Sequence, residues 1–349
     1  IVYDDEEMAE YFALHVGKQK LEHPVLIDKF LENAIEVDVD ALSDGEDVYV
    51  AGVMEHIEEA AIHSGDSSCV LPPYSLPAET VAEIERQTVA LAKELRVVGL
   101  MNIQFAVKDG VVFILEVNPR ASRTAPFVSK ATGVPLPRLA TQVMLGKTLK
   151  ELDPWSMRRS GYVSVKESVF PFRRFPGVDI LLGPEMRSTG EVMGIAPTFE
   201  EAFLKGQWGA GQKLPEGGKV FLSVNDRDKR FVAEVARQYV DLGFELLATS
   251  GTAGLLAGQG IPSTRVLKVY EGRPNIVDLI KNGEVSLVIN TASGKRTAHD
   301  SKAIRQATLH YGVPYSTTLS GAKAIARAIG AARTTEVRVK SLQEYYKGE

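Results

Sequence analysis

Gln104, Glu116, Asn118, Arg120 and Arg123 bring one carboxylate, two carboxamides and two guanidiniums into a single short stretch of chain. Oxygen ligands of the first three kinds suit a hard divalent cation, Mg2+ or Mn2+, which keeps several waters and takes phosphate oxygens for the rest. Planar guanidinium forks hold a transferring phosphoryl group or an anionic substrate. Spacing alone fits a solvated strand end and loop as well as it fits such a site.

The stretch GLMNIQFAVKDGVVFILEVNPR must position these groups. It reads as a hairpin around Asp109-Gly110, and the apolar run ahead of Glu116 reads as a buried strand. Parity decides whether Gln104 and Glu116 share a ligand. A two-residue turn sets Gln104 against Leu115 and points Glu116 away. A three-residue bulged loop sets Gln104 against Glu116, with Asn118 two residues on. The metal reading requires the second register.

The chain has 349 residues, enough for two domains, with 44% hydrophobic and 24% charged residues. The net charge of −5 gives no global basic field for nucleic acid or anionic lipid. Cys69 is the single cysteine, which rules out an intramolecular disulfide and fits a reducing cytoplasm. No apolar run is long enough to cross a bilayer, and no signal peptide is visible. The first residue is Ile1 rather than Met, in what reads as a strand followed by an acidic-capped helix, so the chain is expected to start inside something larger.

Before Pro171 the pattern alternates hairpins with amphipathic helices. Val37, Asp38, Val39 and Asp40 alternate with period two, and SDGE closes the first hairpin. Trp208 to Gly218 is rich in glycine and marks a domain boundary. Beyond it short apolar strands alternate with helices, including VLKVY as a strand. Repeated βα units imply a parallel sheet with ligands at the strand C-termini. The expected fold class is α+β followed by α/β: residues 1–207 as an antiparallel sheet with helices, 208–218 as linker, and 219–349 as a doubly wound parallel sheet.

EVNPRASRT resembles the catalytic signature of the ATP-grasp superfamily. Together with SKATGVPL, FLENAIEVDVDA, GVMEHIEEAAIHSGDSS, GLMNIQFAVK, FPGVDILLGPEMRSTGEVMG and NTASGKRT, it makes the chain similar to the carbamoyl phosphate synthetase large-subunit family over nearly its whole length. The resemblance implies a second ATP-using synthetase unit, a partial ATP-grasp domain that phosphorylates carbamate for arginine and pyrimidine biosynthesis. Gln104, Glu116 and Asn118 then match the positions that hold two Mg2+ or Mn2+ ions. Arg120 and Arg123 match those facing the phosphoryl group and the bicarbonate-derived substrate. Phe30 and Leu31 match the adenine segment, Glu36 the ribose carboxylate, and Ile62, His63 and Ser64 a loop of the nucleotide pocket. His56 and Glu58 match the neighbourhood of a K+ site.

Residues from about 219 resemble the methylglyoxal-synthase-like domain, which in this family binds effectors. Lys229, Thr249, Thr252, Lys268, Asn290 and Thr291 match a nucleoside monophosphate site for UMP or IMP, with Ala292 where the family often has threonine. Glu58, Asp66, Glu167 and Thr317 match an ornithine site between the domains. The implied partners are the glutaminase small subunit and the rest of the large subunit.

Other readings stand beside this one. Asp300 falls near a catalytic aspartate of the methylglyoxal synthase fold. Biotin carboxylase shares the Glu–Asn–Arg end of the hairpin. A non-catalytic regulatory fragment fits as well, because the small lobe that clamps the phosphates in an ATP-grasp unit belongs before Ile1, and neither GxGxxG nor a P-loop replaces it. The purified chain, supplied with ATP and carbamate in a coupled ADP-release assay, is therefore expected to show no turnover above background; robust turnover would refute this.

Overall fold

The computed structural model describes residues 2, 4–16, 24–60, 62–159, 161–175, 177–291 and 295–347. The positions of Ala292 and Ser293, and the side chain of Asp300, lie outside what is described.

An acidic helix, α1 (Asp5–Tyr11), is capped by Asp4, whose carboxylate accepts from the Glu7 N–H. Seven antiparallel strands follow: β1 (Ile35–Asp44), β2 (Val48–Glu59), β3 (Cys69–Leu71), β4 (Val98–Lys108), β5 (Val111–Asn118), β6 (Val163–Val169) and β7 (Gly190–Ala196). Their spatial order is β5-β4-β1-β2-β3-β6-β7. Period-two alternation in β1 sends Val37 and Val39 to one face and Asp38 and Asp40 to the other. Helix α2 (Ala78–Glu94) covers the valine face. Its buried residues Thr80, Ile84, Thr88 and Ala92 fall four apart, one stripe along the helix, and Ile84 and Ala92 share a core with Val37, Val39, Ile103 and Phe105.

The opposite face is covered at one end by α3 (Ala125–Thr132) and α4 (Leu136–Met144), which bury Leu42, Met54, Cys69 and Leu71. Short turns α5 (Leu149–Leu152) and α6 (Pro154–Met157) complete that layer. The other end of this face is open and carries the polar groups described below. From Phe170 to Thr189 the chain is a strap with only one helical turn, Phe172–Arg174.

Helix α7 (Phe199–Gly209) packs on β6 and β7 and runs two residues into the expected linker. The second sheet is parallel, in the order β10-β9-β8-β11-β12. Its strands are β8 (Lys219–Ser223), β9 (Glu245–Ala248), β10 (Thr264–Arg265), β11 (Leu287–Asn290) and β12 (Tyr315–Ser316). Helices α8 (Lys229–Asp241), α9 (Ser250–Gly258), α10 (Ile276–Lys281), α11 (Lys295–Tyr311) and α12 (Leu319–Thr334) connect and cover them. VLKVY is not a strand. Pairing stops at Arg265, and only a lone bridge from Leu267 to Asn275 continues it.

The two sheets share one core. Val165, Ala196, Phe199 and Phe203 belong to the same buried cluster as Val220, Val235, Leu287 and Ile325. The last helix, α13 (Leu342–Lys347), returns to the first unit. There the Tyr345 hydroxyl donates to the Ile195 carbonyl at 3.0 Å and the Tyr346 hydroxyl to the Lys130 carbonyl at 2.7 Å. Among the described residues no helix is long and apolar enough to cross a membrane.

The contact between β7 and α7 depends on Gly194. A methyl group there would overlap the Ala202 carbonyl oxygen and stand 2.6 Å from the Gly206 nitrogen. Both are helix backbone and cannot turn aside. Gly194→Ala is expected to destabilise the fold by about 3 kcal/mol or more, read as a lowered urea midpoint with an unchanged m-value.

Candidate functional site

β1 lies between β2 and β4, and β5 is outermost. Asp38 pairs with Gln104 and Gln104 with Glu116. One rung on, Asp40 pairs with Asn102 and Asn102 with Asn118. Paired residues share a face, so six polar side chains form two rungs on the open side of the sheet.

The required register is therefore present, but not by the expected route. The turn has two residues: Lys108 pairs with Val111, and Asp109 and Gly110 both have positive φ, as a tight hairpin turn of this twist demands. That turn alone would set Gln104 against Leu115. The pairing instead shifts by one between Phe105–Ile114 and Gln104–Glu116, leaving Leu115 as the extra residue of a β-bulge. Nor is β5 buried. It is an edge strand, with Phe113, Ile114 and Leu115 exposed by 38%, 46% and 48%.

On the rungs, the Asn118 amide donates to Glu116 Oε1 at 2.7 Å, and the Gln104 amide donates to the Ser64 hydroxyl at 3.2 Å. Both amides act through nitrogen, which leaves their carbonyl oxygens to accept a cation beside the carboxylate. Among the described residues no cluster of three His, Cys, Asp or Glu could hold a metal, so a cation here would rest on one carboxylate and amide oxygens, a set of hard donors that fits Mg2+ or Mn2+. Arg120 and Arg123 are exposed just beyond, and neither forms an ion pair among the described residues.

At the inner, β1 end of the rungs, Asp40 accepts from Thr124 at 2.7 Å and Asn102 at 3.0 Å, yet burial pushes its pKa up to about 6. The Asp38 carboxylate meets His56 Nε2 at 3.2 Å. Sequence reasoning missed both aspartates. Their signal was the VDVDA alternation, which puts them on the Glu36 face. Glu36 itself is buried, and burial raises its pKa against the opposing charge of His56. Phe30 and Leu31 precede β1, Phe30 exposed and Leu31 half-buried.

Ile62, His63 and Ser64 begin the loop between β2 and β3. The loop is held from below by Lys166, a fully buried ammonium that donates to the Ser67 carbonyl at 2.6 Å and the Ser64 carbonyl at 3.4 Å. His63 Nδ1 accepts from the Gly65 N–H, a local turn with no triad geometry. At its far end the Ser68 N–H donates to Glu58 at 2.6 Å and the Ser68 hydroxyl to Glu167 at 2.7 Å.

Glu58, Asp66, Glu167 and Thr317 all line one cavity of about 80 Å3 between the two units. Asp66 is already engaged: its carboxylate accepts from the backbone N–H groups of Arg187 and Ser188 at 2.8 Å each. Glu167 is buried beside Glu58. Burial, and then the neighbouring Glu58 carboxylate, push its pKa up to about 8.

At the C-terminal edge of the parallel sheet Lys229, Thr249, Thr252, Lys268 and Thr291 line a second cavity of about 200 Å3. Lys229 pairs with Asp226 at 2.5 Å, and the Thr291 hydroxyl accepts from the Asn225 N–H at 3.1 Å. Asn290 stands behind the wall rather than in the cavity. It donates to the Ser223 carbonyl at 3.2 Å and to Ser301 at 3.4 Å.

Comparison with known proteins follows the same division. Residues 1–152 match the family described as carbamoyl-phosphate synthase L chain, ATP binding domain, and residues 232–317 match the MGS-like domain. The carbamoyl phosphate synthase large chain of Gemmatimonas aurantiaca is 54% identical over 347 residues, 99% of this chain and 32% of that one. That of Archaeoglobus fulgidus is 54% identical over 350 residues, with the same coverages. The C-terminal section of the Methanocaldococcus jannaschii large chain is 51% identical over 356 residues, 99% of this chain and 57% of that section. The chain thus spans about a third of the length of the large chains it matches. A solved biotin carboxylase domain overlaps 52% of this chain and 48% of its own at a TM-score of 0.42 and 16% identity, too loose a likeness to carry an argument. With both domain families matched in order and half of all positions identical along the whole length, the chain belongs to the carbamoyl phosphate synthase large-chain family.

Proposed function

We propose that residues 1–207 form most of a synthetase unit that phosphorylates carbamate with ATP, and that residues 219–349 form its effector-binding domain. A carbamate oxygen attacks the γ-phosphorus, the bond from that phosphorus to the β,γ-bridging oxygen breaks, and ADP leaves with the electron pair. Such a transfer needs in-line positioning and neutralised charge rather than a protein nucleophile. Gln104, Glu116 and Asn118 would hold the two divalent cations, Mg2+ or Mn2+, which when bound neutralise phosphate charge. Arg120 and Arg123, exposed and unpaired with any described carboxylate, orient the γ-phosphoryl group and the carbamate.

Phe30 and Leu31 contact adenine, Glu36 accepts from ribose hydroxyls, and Ile62, His63 and Ser64 close the nucleotide pocket, with a K+ ion near His56 and Glu58. The glutaminase small subunit and the rest of the large subunit supply carbamate and the phosphate-clamping lobe. The observation that carries this reading is the bulge at Leu115, which costs a strand its regularity and returns Glu116 to the face of Gln104.

The cavity containing Lys229, Thr249, Thr252, Lys268 and Thr291, with Asn290 bracing its wall, suits a nucleoside monophosphate such as UMP or IMP: two ammonium groups and a row of hydroxyls meet a phosphate and a ribose. The cavity containing Glu58, Asp66, Glu167 and Thr317 suits a cationic amino acid, ornithine. Glu167 and Glu58 are two buried neighbouring carboxyl groups, and burial and mutual repulsion disfavour their charged forms until a cation lies beside them.

Two measurements test these assignments. In the complete enzyme, deleting Leu115 is expected to weaken Mn2+ binding in the presence of ADP by at least about tenfold, as is Glu116→Gln, while glutamine hydrolysis persists; calorimetry finding wild-type affinity in both variants would sink the metal assignment. For the acid pocket, the unfolded chain releases the Glu167 proton near its ordinary 4.5 whereas the folded chain keeps it to about 8. Between those values the unfolded state binds fewer protons, so stability falls as pH rises. Urea midpoints are expected to decline from pH 5 to 8, and Glu167→Gln to flatten that decline.

A further inference from the structure

Asp40 sits on the inner strand β1 with 2% of its surface exposed, and the phosphoryl transfer above gives it no task. Both of its oxygens are committed. Oδ1 accepts from the Asn102 amide at 3.0 Å, and Oδ2 accepts from the Thr124 hydroxyl at 2.7 Å. Thr124 ends the loop that joins β5 to α3 and occupies the N-cap position of that helix. A threonine there ordinarily turns its hydroxyl on the first N–H groups of the helix. This one makes no such bond. Ser122 serves the helix instead: its hydroxyl oxygen accepts from the Ala125 N–H at 2.9 Å and stands 3.0 Å from the Thr124 hydroxyl. An ionised carboxylate only accepts, so the direction of the chain is fixed. Thr124 donates to Asp40, Ser122 donates to Thr124, and the Ala125 N–H donates to Ser122. Arg123 lies between the two tethered hydroxyl residues, its own side chain exposed.

We propose that Asp40 is a positioning residue for the phosphoryl transfer: its carboxylate, acting through the Thr124 and Ser122 hydroxyls, fixes the backbone on either side of Arg123 and so decides where that guanidinium can reach. It rests on the reading of Arg123 as a contact to the phosphoryl group and the carbamate, and adds what holds that contact in place. The physical warrant is the diversion at Thr124. A cap forgoes its usual bond, and a carboxylate is buried with neutral donors; both cost stability. What they secure is a loop held to the sheet at the point where it must be exact. Connecting loops are mobile by default, and a misplacement of an ångström costs transfer chemistry on the order of a hundredfold. The same carboxylate steadies the neighbouring rung, since Asn102 pairs with Asn118 across β4 and β5.

The test uses the complete enzyme with its glutaminase partner. It runs the transfer in reverse, ADP and carbamoyl phosphate giving ATP and carbamate, with glutamine hydrolysis and urea midpoints recorded alongside. Thr124→Val removes the hydroxyl at nearly constant shape, Thr124→Ser keeps it, and Asp40→Asn exchanges one acceptor for a donor. Thr124→Val and Asp40→Asn are expected to lower kcat/KM for carbamoyl phosphate about 10- to 100-fold, while KM for ADP stays within about twofold of wild type. Thr124→Ser should recover all but about threefold of the loss. Because Thr124 acts through Arg123, adding Thr124→Val to Arg123→Ala should cost no more than about twofold further. Asp40→Asn still accepts through its remaining oxygen, so it stays measurable where the stranded acceptor in Thr124→Val lowers stability. Wild-type kinetics in Thr124→Val and Asp40→Asn, beside a crippled Arg123→Ala, overturns the inference. A parallel rise in KM for ADP does so too, since it marks a general loosening of the site, as does a full multiplicative loss in the double variant. Arg123→Ala with undiminished reverse transfer would overturn the reading of Arg123 beneath it, a result distinct from all the others.

Discussion

One extra residue in one edge strand decides what the open face of the large sheet can do. Side chains on a strand alternate with a period of two, so a hairpin closed by a two-residue turn has its faces set from the first pair onward. Here that parity would aim Glu116 at α2 and its core. Leu115 breaks the count, and everything beyond it changes face, so that Glu116 and Asn118 join Gln104 and Asn102. Bulges gather at sheet edges and beside active sites because they re-aim side chains without altering the strands around them. The exposed apolar surface of β5 accompanies that arrangement, at the outer edge of the sheet.

At the inner end of the rungs and beneath them, the sheet buries several ionisable groups. Asp38, Asp40, His56 and Lys166 are all nearly inaccessible, and each has a stated partner: His56 for Asp38, Thr124 and Asn102 for Asp40, backbone carbonyls for Lys166. Buried polar groups are tolerable when satisfied and costly when not. Lys166 is the most telling of them, since among the described residues it forms no ion pair and donates instead to the Ser64 and Ser67 carbonyls of the loop and to the Ser168 hydroxyl beside it on β6. That loop links the two ends of the first unit: Ser64 meets Gln104 at one end, Ser68 meets Glu58 and Glu167 at the other.

Much of this was legible in the sequence, and the exceptions have physical causes. The hairpins and βα units announced themselves through periodicity and turn residues, and their positions hold to within a few residues. The route to the register was not legible, because a bulge whose extra residue is a leucine has no composition signal; only the chemistry at Glu116 and Asn118 demanded it. Lys166 is buried where a loop about a hundred residues upstream folds over it, a contact that no local pattern in the sequence specifies. VLKVY has strand composition, but Val266 alone enters the core and the pairing is gone after Arg265. Asn290 sits at the correct strand end and yet behind the cavity wall, a matter of side-chain direction that no pattern specifies.

The return of the last helix to the first unit changes what kind of joint connects the two halves. A domain on a single flexible connection can swing through a cone, and such motion is the default expectation between domains. This one is fastened at its entrance, where α7 leads into β8, and again at its exit, where Tyr345 and Tyr346 clasp Ile195 and Lys130. Between these two attachments lies the shared apolar core, so a swing of one half would have to open buried surface; the second half is braced against the first rather than tethered to it.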